Sequence, residues 1–175
     1  MEDKETIVFG IPVPSDNKVF LTFIVVHIIL GLICVLAGLL AMLTNKTSKN
    51  HTNAGNVYFW GYTLLFITIT ITSIMRWPHN IHLLTIGSLG YILAFTGRRM
   101  AQNHPENWTR FHTVLMGLSY VFLLAGFYVD NGRHLPFWNQ FSRWQLFIFP
   151  FLIGVPIIIY AFFKHPLNKK KKTSP

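Results

Sequence analysis

Histidines at positions 27, 51, 79, 82 and 112 of this 175-residue chain fall inside or at the ends of long apolar runs. Ionisable side chains are expensive in hydrocarbon, so a histidine at membrane depth is a functional hypothesis by default. Which chemistry follows depends on how many rings share a depth. A b-type haem bound by two histidines needs one ring from each of two facing helices, with the iron between them. His51 and His112 meet that requirement, because each opens an apolar run at the same rim of the predicted bundle. They are the candidate ligands of one haem, with a quinone-like redox partner. His27 and His82 make a poorer pair, since His27 lies roughly 10 Å deeper at 1.5 Å of rise per residue.

His27 is the most deeply placed ionisable group. On a helix it shares one face with Gly31, Cys34 and Gly38, whose small side chains let a neighbouring helix approach, so it is expected to face protein. There it either titrates or hydrogen-bonds to a neighbour such as Thr72 or Ser73. In the second run His51, Gly55, Tyr58, Tyr62, Ser73 and Arg76 form one inward stripe, and His27, Tyr58 and Arg76 are taken as a candidate polar site. Other histidine chemistries lack their partners. His79 and His82 form an HxxH pair, but there is no HExxH and no set of carboxylates for a metal hydrolase or di-iron oxygenase. No acid is available to orient a histidine beside Ser73, Ser88 or Ser119, which removes a serine hydrolase.

The elements that must carry these rings are read from the apolar runs. With 51% apolar and only 12% charged residues the chain falls far below the roughly 25% charge of soluble domains. Its six acids, Glu2, Asp3, Glu5, Asp16, Glu106 and Asp130, all lie outside the runs. Spans are predicted at about 19–43, 57–75, 81–97, 111–129 and 144–163, each close to the ~20 residues that cross a bilayer, the third being the shortest. The third carries Gly87, Gly90, Ala94 and Gly97 on a close-packing face; the fourth aligns His112, Met116, Ser119 and Leu123. Pro150 and Pro156 each remove a backbone donor from the fifth. The expected fold is an all-α integral membrane protein of about five transmembrane helices, four packed around small-residue faces plus a Pro-kinked fifth at their edge.

Lys and Arg in alternating loops set the orientation. Lys46, Lys49, Arg98, Arg99, Arg110, Lys164 and Lys169 to Lys172 make ten on one side; Lys4, Lys18, Arg76, Arg133 and Arg143 make five on the other. By the positive-inside rule residues 1–18 form an extracytoplasmic segment and 164–175 a basic cytoplasmic tail, in a bacterial inner membrane. Within that segment Ile7–Pro14 is too short to span, and Pro12 and Pro14 oppose a helix. The net charge of +9 is therefore ascribed to membrane orientation and anionic lipid rather than nucleic acid. The lone Cys34 permits no internal disulfide.

His27-x3-Gly31, then Gly38, then His51-x3-Gly55-x2-Tyr58, followed by Arg76, Arg98, Arg99 and His112-x3-Met116, resembles a bacterial family of predicted membrane proteins catalogued as domain of unknown function 2306. The likeness runs roughly from Val19 to Val129 and departs from the family pattern in lacking an arginine beside His51. It implies a multi-pass bundle and a reason to consider His27, His51 and His112 together. Three functional readings follow. The first is a redox bundle with a histidine-ligated b-type haem or a quinone-like ligand. The second is a small transport or ligand-binding bundle with a titrating His27, and the third a structural subunit of a membrane complex. No stand-alone enzymatic activity is expected.

Overall fold

The computed structural model describes residues 6–8, 10–13 and 15–164. The lysine tail at 169–172 and Lys4 lie outside the described residues. Five helices carry the fold: α1 (Lys18–Leu43), α2 (Lys49–Met75), α3 (Ile81–Asn103), α4 (Trp108–Asn131) and α5 (Arg143–Lys164). Ahead of them strands β1 (Thr6–Val8) and β2 (Ile11–Val13) pair antiparallel, with Gly10 at φ +81 in the turn, where lack of a Cβ removes the strain.

Local chemistry sets the helix starts. The Asn17 side chain accepts hydrogen bonds from the amides of Val19 and Phe20, and Ser48 Oγ accepts from His51 N–H at 3.2 Å. Capping at Ser48 begins α2 eight residues before the apolar run at Val57, so its first turns are polar. α3 likewise continues past Gly97 and ends at His104, whose left-handed conformation (φ 48) stops it.

Four helical stretches are long and apolar enough to cross a membrane: Lys18–Leu43, Lys49–Met75, Trp108–His134 and Arg143–Lys164. All five expected helices are present, and four of them meet this measure of length and hydropathy. α3 has the length, at 23 residues, but Arg98, Arg99, Gln102 and Asn103 in its last turns and Asn80 and His82 at its start dilute its hydropathy.

α3 nevertheless lies along both neighbours. Near one end Arg98 reaches Asn56 of α2, midway Thr63 meets Tyr91, and at the other end Ser73 Oγ donates to the Asn80 carbonyl. On its other side Gly97 abuts Leu115 and Met116, and Gly90 abuts Phe122 of α4. Small residues make this approach possible: Gly90, Ala94 and Gly97 are all buried. α5 packs on α4, with Ile158 against Gly117 and Val121 against Gly154, and contains Pro150 and Pro156 within one continuous helix.

Contacts run α1 to α2, α2 to α3, α3 to α4 and α4 to both α1 and α5, so α2 and α4 lie diagonally across a four-helix ring. The core at its centre is Cys34, Ala37, Tyr58, Tyr62, Leu65 and Ala94. Large apolar side chains such as Leu36 (62% exposed) and Leu152 (68%) cover the outside. Such an exterior would aggregate in water and is the expected surface toward lipid.

A cavity with two facing imidazoles

His51 stands in the first turn of α2 and His112 in the first turns of α4, so the diagonal helices deliver both rings to one end of the bundle axis. Their ring centres are 6.3 Å apart and their planes 81° from parallel. Each ring is held by a backbone carbonyl of the preceding helix: His51 Nδ1 lies 2.8 Å from the Ala41 oxygen and His112 Nδ1 lies 2.9 Å from the Gly97 oxygen. A carbonyl only accepts, so Nδ1 carries the proton in both rings. The neutral imidazole then keeps its lone pair on Nε2. This is the outer-sphere arrangement that orients metal-ligating histidines.

The two rings line a cavity of about 570 Å³ whose walls come from all five helices. Gly55, one turn after His51, lies on its wall, and a Cβ added there would meet no atom within 4 Å. Tyr58 and Tyr120 lie deeper, with ring centres 6.3 Å apart. Ser119 Oγ donates to the Met116 carbonyl (2.8 Å), so its 2.9 Å contact with Tyr58 is one in which the phenol donates. Tyr120 donates to the Val35 carbonyl at 3.1 Å. Toward the surface an aromatic series continues from His112 to Trp108 (6.3 Å) and on to the exposed His104 (4.5 Å).

Among the described residues the cavity wall contains Lys46 and Arg98 but no aspartate or glutamate. Lys46 folds back over the end of α1, donating to the carbonyls of Ala41 (2.9 Å) and Met42. It thereby meets the negative end of that helix's dipole. Burial lowers its pKa from the ordinary lysine value. Arg98 donates to Asn56 Oδ1 at 2.6 Å and stacks over Phe59, 4.5 Å from the ring centre.

Of the residues singled out in the sequence, His51, His112 and Tyr58 converge on this cavity; His27 and Arg76 do not line it. His27 Nδ1 meets Thr68 Oγ1 at 2.9 Å, one helical turn from the expected Thr72. Thr68 donates its own proton to the Leu65 carbonyl (2.7 Å) and so accepts from His27. Arg76 lies at the opposite end of α2, above the Phe20 ring. Sequence reasoning missed Lys46 and Asn56 as cavity residues and the two carbonyls that orient the imidazoles. The polar turn preceding Val57 and the helical period beyond Gly97 were the available signals.

Among the described residues no group of three or more His, Cys, Asp or Glu side chains is placed to hold a metal ion. The imidazole pair could serve only a metal that brings most of its own donors. No family model, no curated protein and no solved structure matches this chain.

Proposed function

We propose that this membrane protein is an electron-transfer bundle that holds one b-type haem between His51 and His112 and exchanges electrons with a quinone-like partner. The observation that carries the reading is the imidazole pair. With metal–nitrogen bonds of ~2 Å, two rings ligating one iron have centres ~6 Å apart, against the 6.3 Å found. Two protein ligands suffice for haem, whose macrocycle supplies the other four donors, and the bound group would provide one-electron chemistry at the iron. The cavity of about 570 Å³ and the open wall at Gly55 support the fit in size. The chain's own part is to fix both Nδ1–H groups on carbonyls, present both Nε2 lone pairs and keep lipid and bulk water from the iron.

The topology proposed with it has five spans. α3 follows α2 and α4 from one end to the other and crosses whatever thickness they cross. Among the described residues the cavity end carries Lys46, Lys49, Arg98, Arg99, Arg110 and Lys164, the far end Lys18, Arg76, Arg133 and Arg143. The cavity thus opens toward the cytoplasm of a bacterial inner membrane, with the N-terminus outside. Kinship with domain of unknown function 2306 belongs to the same proposal. Transport by a titrating His27 has less support, because Thr68 engages that ring away from the cavity.

The test is an absorption spectrum of protein purified in mild detergent from haem-supplemented cells. A reduced-minus-oxidised band at about one haem per chain, lost in His51→Ala and in His112→Ala but kept in His27→Ala, is expected. A colourless protein that takes up no added haem overturns the reading and leaves a structural subunit.

A further inference from the structure

The two cations of the cavity wall differ from their neighbours. Lys49, Arg99 and Arg110 at the same end are exposed, as orientation signals in contact with water and headgroups should be. Lys46 and Arg98 are half-buried and turn into the cavity, Lys46 from the α1–α2 loop and Arg98 from α3. Withdrawing a charge from water is costly unless a counter-charge and hydrogen bonds replace the lost hydration. Here only neutral acceptors are supplied: the carbonyls of Ala41 and Met42 for Lys46, and the Asn56 amide for Arg98.

The donors are also incompletely used. An ammonium has three N–H donors, and Lys46 places its contacts on two carbonyls; a guanidinium has five, and Arg98 makes one bond, to Asn56. Donors therefore remain on both side chains, and among the described residues the cavity wall offers no carboxylate to take them. A counter-charge carried by a ligand would engage those donors.

We propose that Lys46 and Arg98 are a recognition pair for two carboxylates carried by an otherwise apolar ligand. This rests on the haem reading, in which those carboxylates are the two propionates. Both cations belong to the end of the cavity nearest the membrane surface, where the polar edge of an amphiphile would lie. The apolar remainder would face Gly38, Gly55, Met116 and Ile158 deeper in the same cavity. The ligand class so defined is a flat, apolar dianion, and cationic amphiphiles are rejected.

The experiment titrates the full-length apoprotein in mild detergent with ferric haem and, separately, with haem dimethyl ester, in which both propionates are capped, following the Soret shift. A charge-assisted hydrogen bond corresponds to ~10-fold or more in affinity, so wild type should bind the diacid at least ~10-fold more tightly than the ester for each carboxylate engaged. Lys46→Gln and Arg98→Gln should each remove one such factor from diacid binding and leave ester binding unchanged, while Arg98→Lys keeps part of it. Equal binding of diacid and ester by wild type overturns the recognition pair while leaving the haem reading intact, and needs no variant to fold. A variant that weakens both ligands alike assigns a structural role and also overturns it. Binding of neither ligand overturns the haem reading and this inference with it.

Discussion

The hydrogen bond between Tyr58 and Ser119 makes an asymmetric prediction about stability. Both residues are buried, at 2% and 0% exposure, and Ser119 already donates to the Met116 carbonyl. In Tyr58→Phe the serine keeps that bond and loses only an incoming donor, a net loss of about 0.5–1 kcal/mol. In Ser119→Ala the phenol O–H loses its acceptor while remaining buried, which costs about 1–3 kcal/mol. Helix-to-helix bonds in membranes reach about 1.7 kcal/mol at most, so a value near 1.5 kcal/mol is expected. The double variant should cost scarcely more than Tyr58→Phe, because removing both partners leaves nothing unpaired; the interaction energy in the cycle then has a magnitude of about 1.5 kcal/mol. The protein carries its own reporter: Cys34 is the single cysteine and is fully buried, so a thiol-reactive fluorophore in detergent lights up only on unfolding. At ~2–4 °C per kcal/mol for a chain of this size, Ser119→Ala should lower Tm by about 3–6 °C and Tyr58→Phe by about 1–4 °C. A loss in Ser119→Ala equal to or smaller than that in Tyr58→Phe would mean that the phenol finds water from the neighbouring cavity and that the interior beside Ser119 is not dry.

Three further predictions use other parts of the bundle. Gly38→Ala puts a Cβ 2.6 Å from the Tyr120 ring, which cannot retreat without breaking its bond to Val35, so a loss of about 1–3 kcal/mol is expected in the same thermal assay. Gly55→Ala meets nothing and should match or exceed wild type by up to about 1 kcal/mol from helix propensity, whereas Gly55→Phe should keep the fold and lose haem uptake. For Lys46 the folded pKa lies below the unfolded one. Between the two values the unfolded chain binds more protons, so stability rises with pH there and the penalty is full below the folded value. Chemical denaturation followed as the pH rises toward the ordinary lysine value should show that rise in wild type and a flatter profile in Lys46→Met.

Much of the scaffold was legible because apolar runs of bilayer length leave little alternative. The small-residue face of α3 came from helical spacing, and the shared depth of His51 and His112 from their places at the starts of two apolar runs. Hydropathy failed at helix ends, where the backbone stays helical after the side chains turn polar: Lys49–Asn56 and Arg98–Asn103 are helix, and they build part of the cavity wall. The partner of His27 was misplaced by one turn, since the register of α1 on α2 is set by packing that sequence spacing does not contain. Lys46 was counted only as loop charge. Its role depends on the five residues Thr44–Ser48 folding it back onto α1, a tertiary event without a local signature.

The carbonyl that orients each imidazole belongs to the helix just before it: α1 serves the histidine of α2, and α3 serves the histidine of α4. Each helical hairpin is thus a complete half-site, with a ring near the start of its second helix and a tyrosine two turns further on, Tyr58 in one hairpin and Tyr120 in the other. Ring meets ring and tyrosine meets tyrosine across the bundle, both at 6.3 Å. That is the self-complementary contact pattern of two identical subunits about a two-fold axis, here written into one polypeptide.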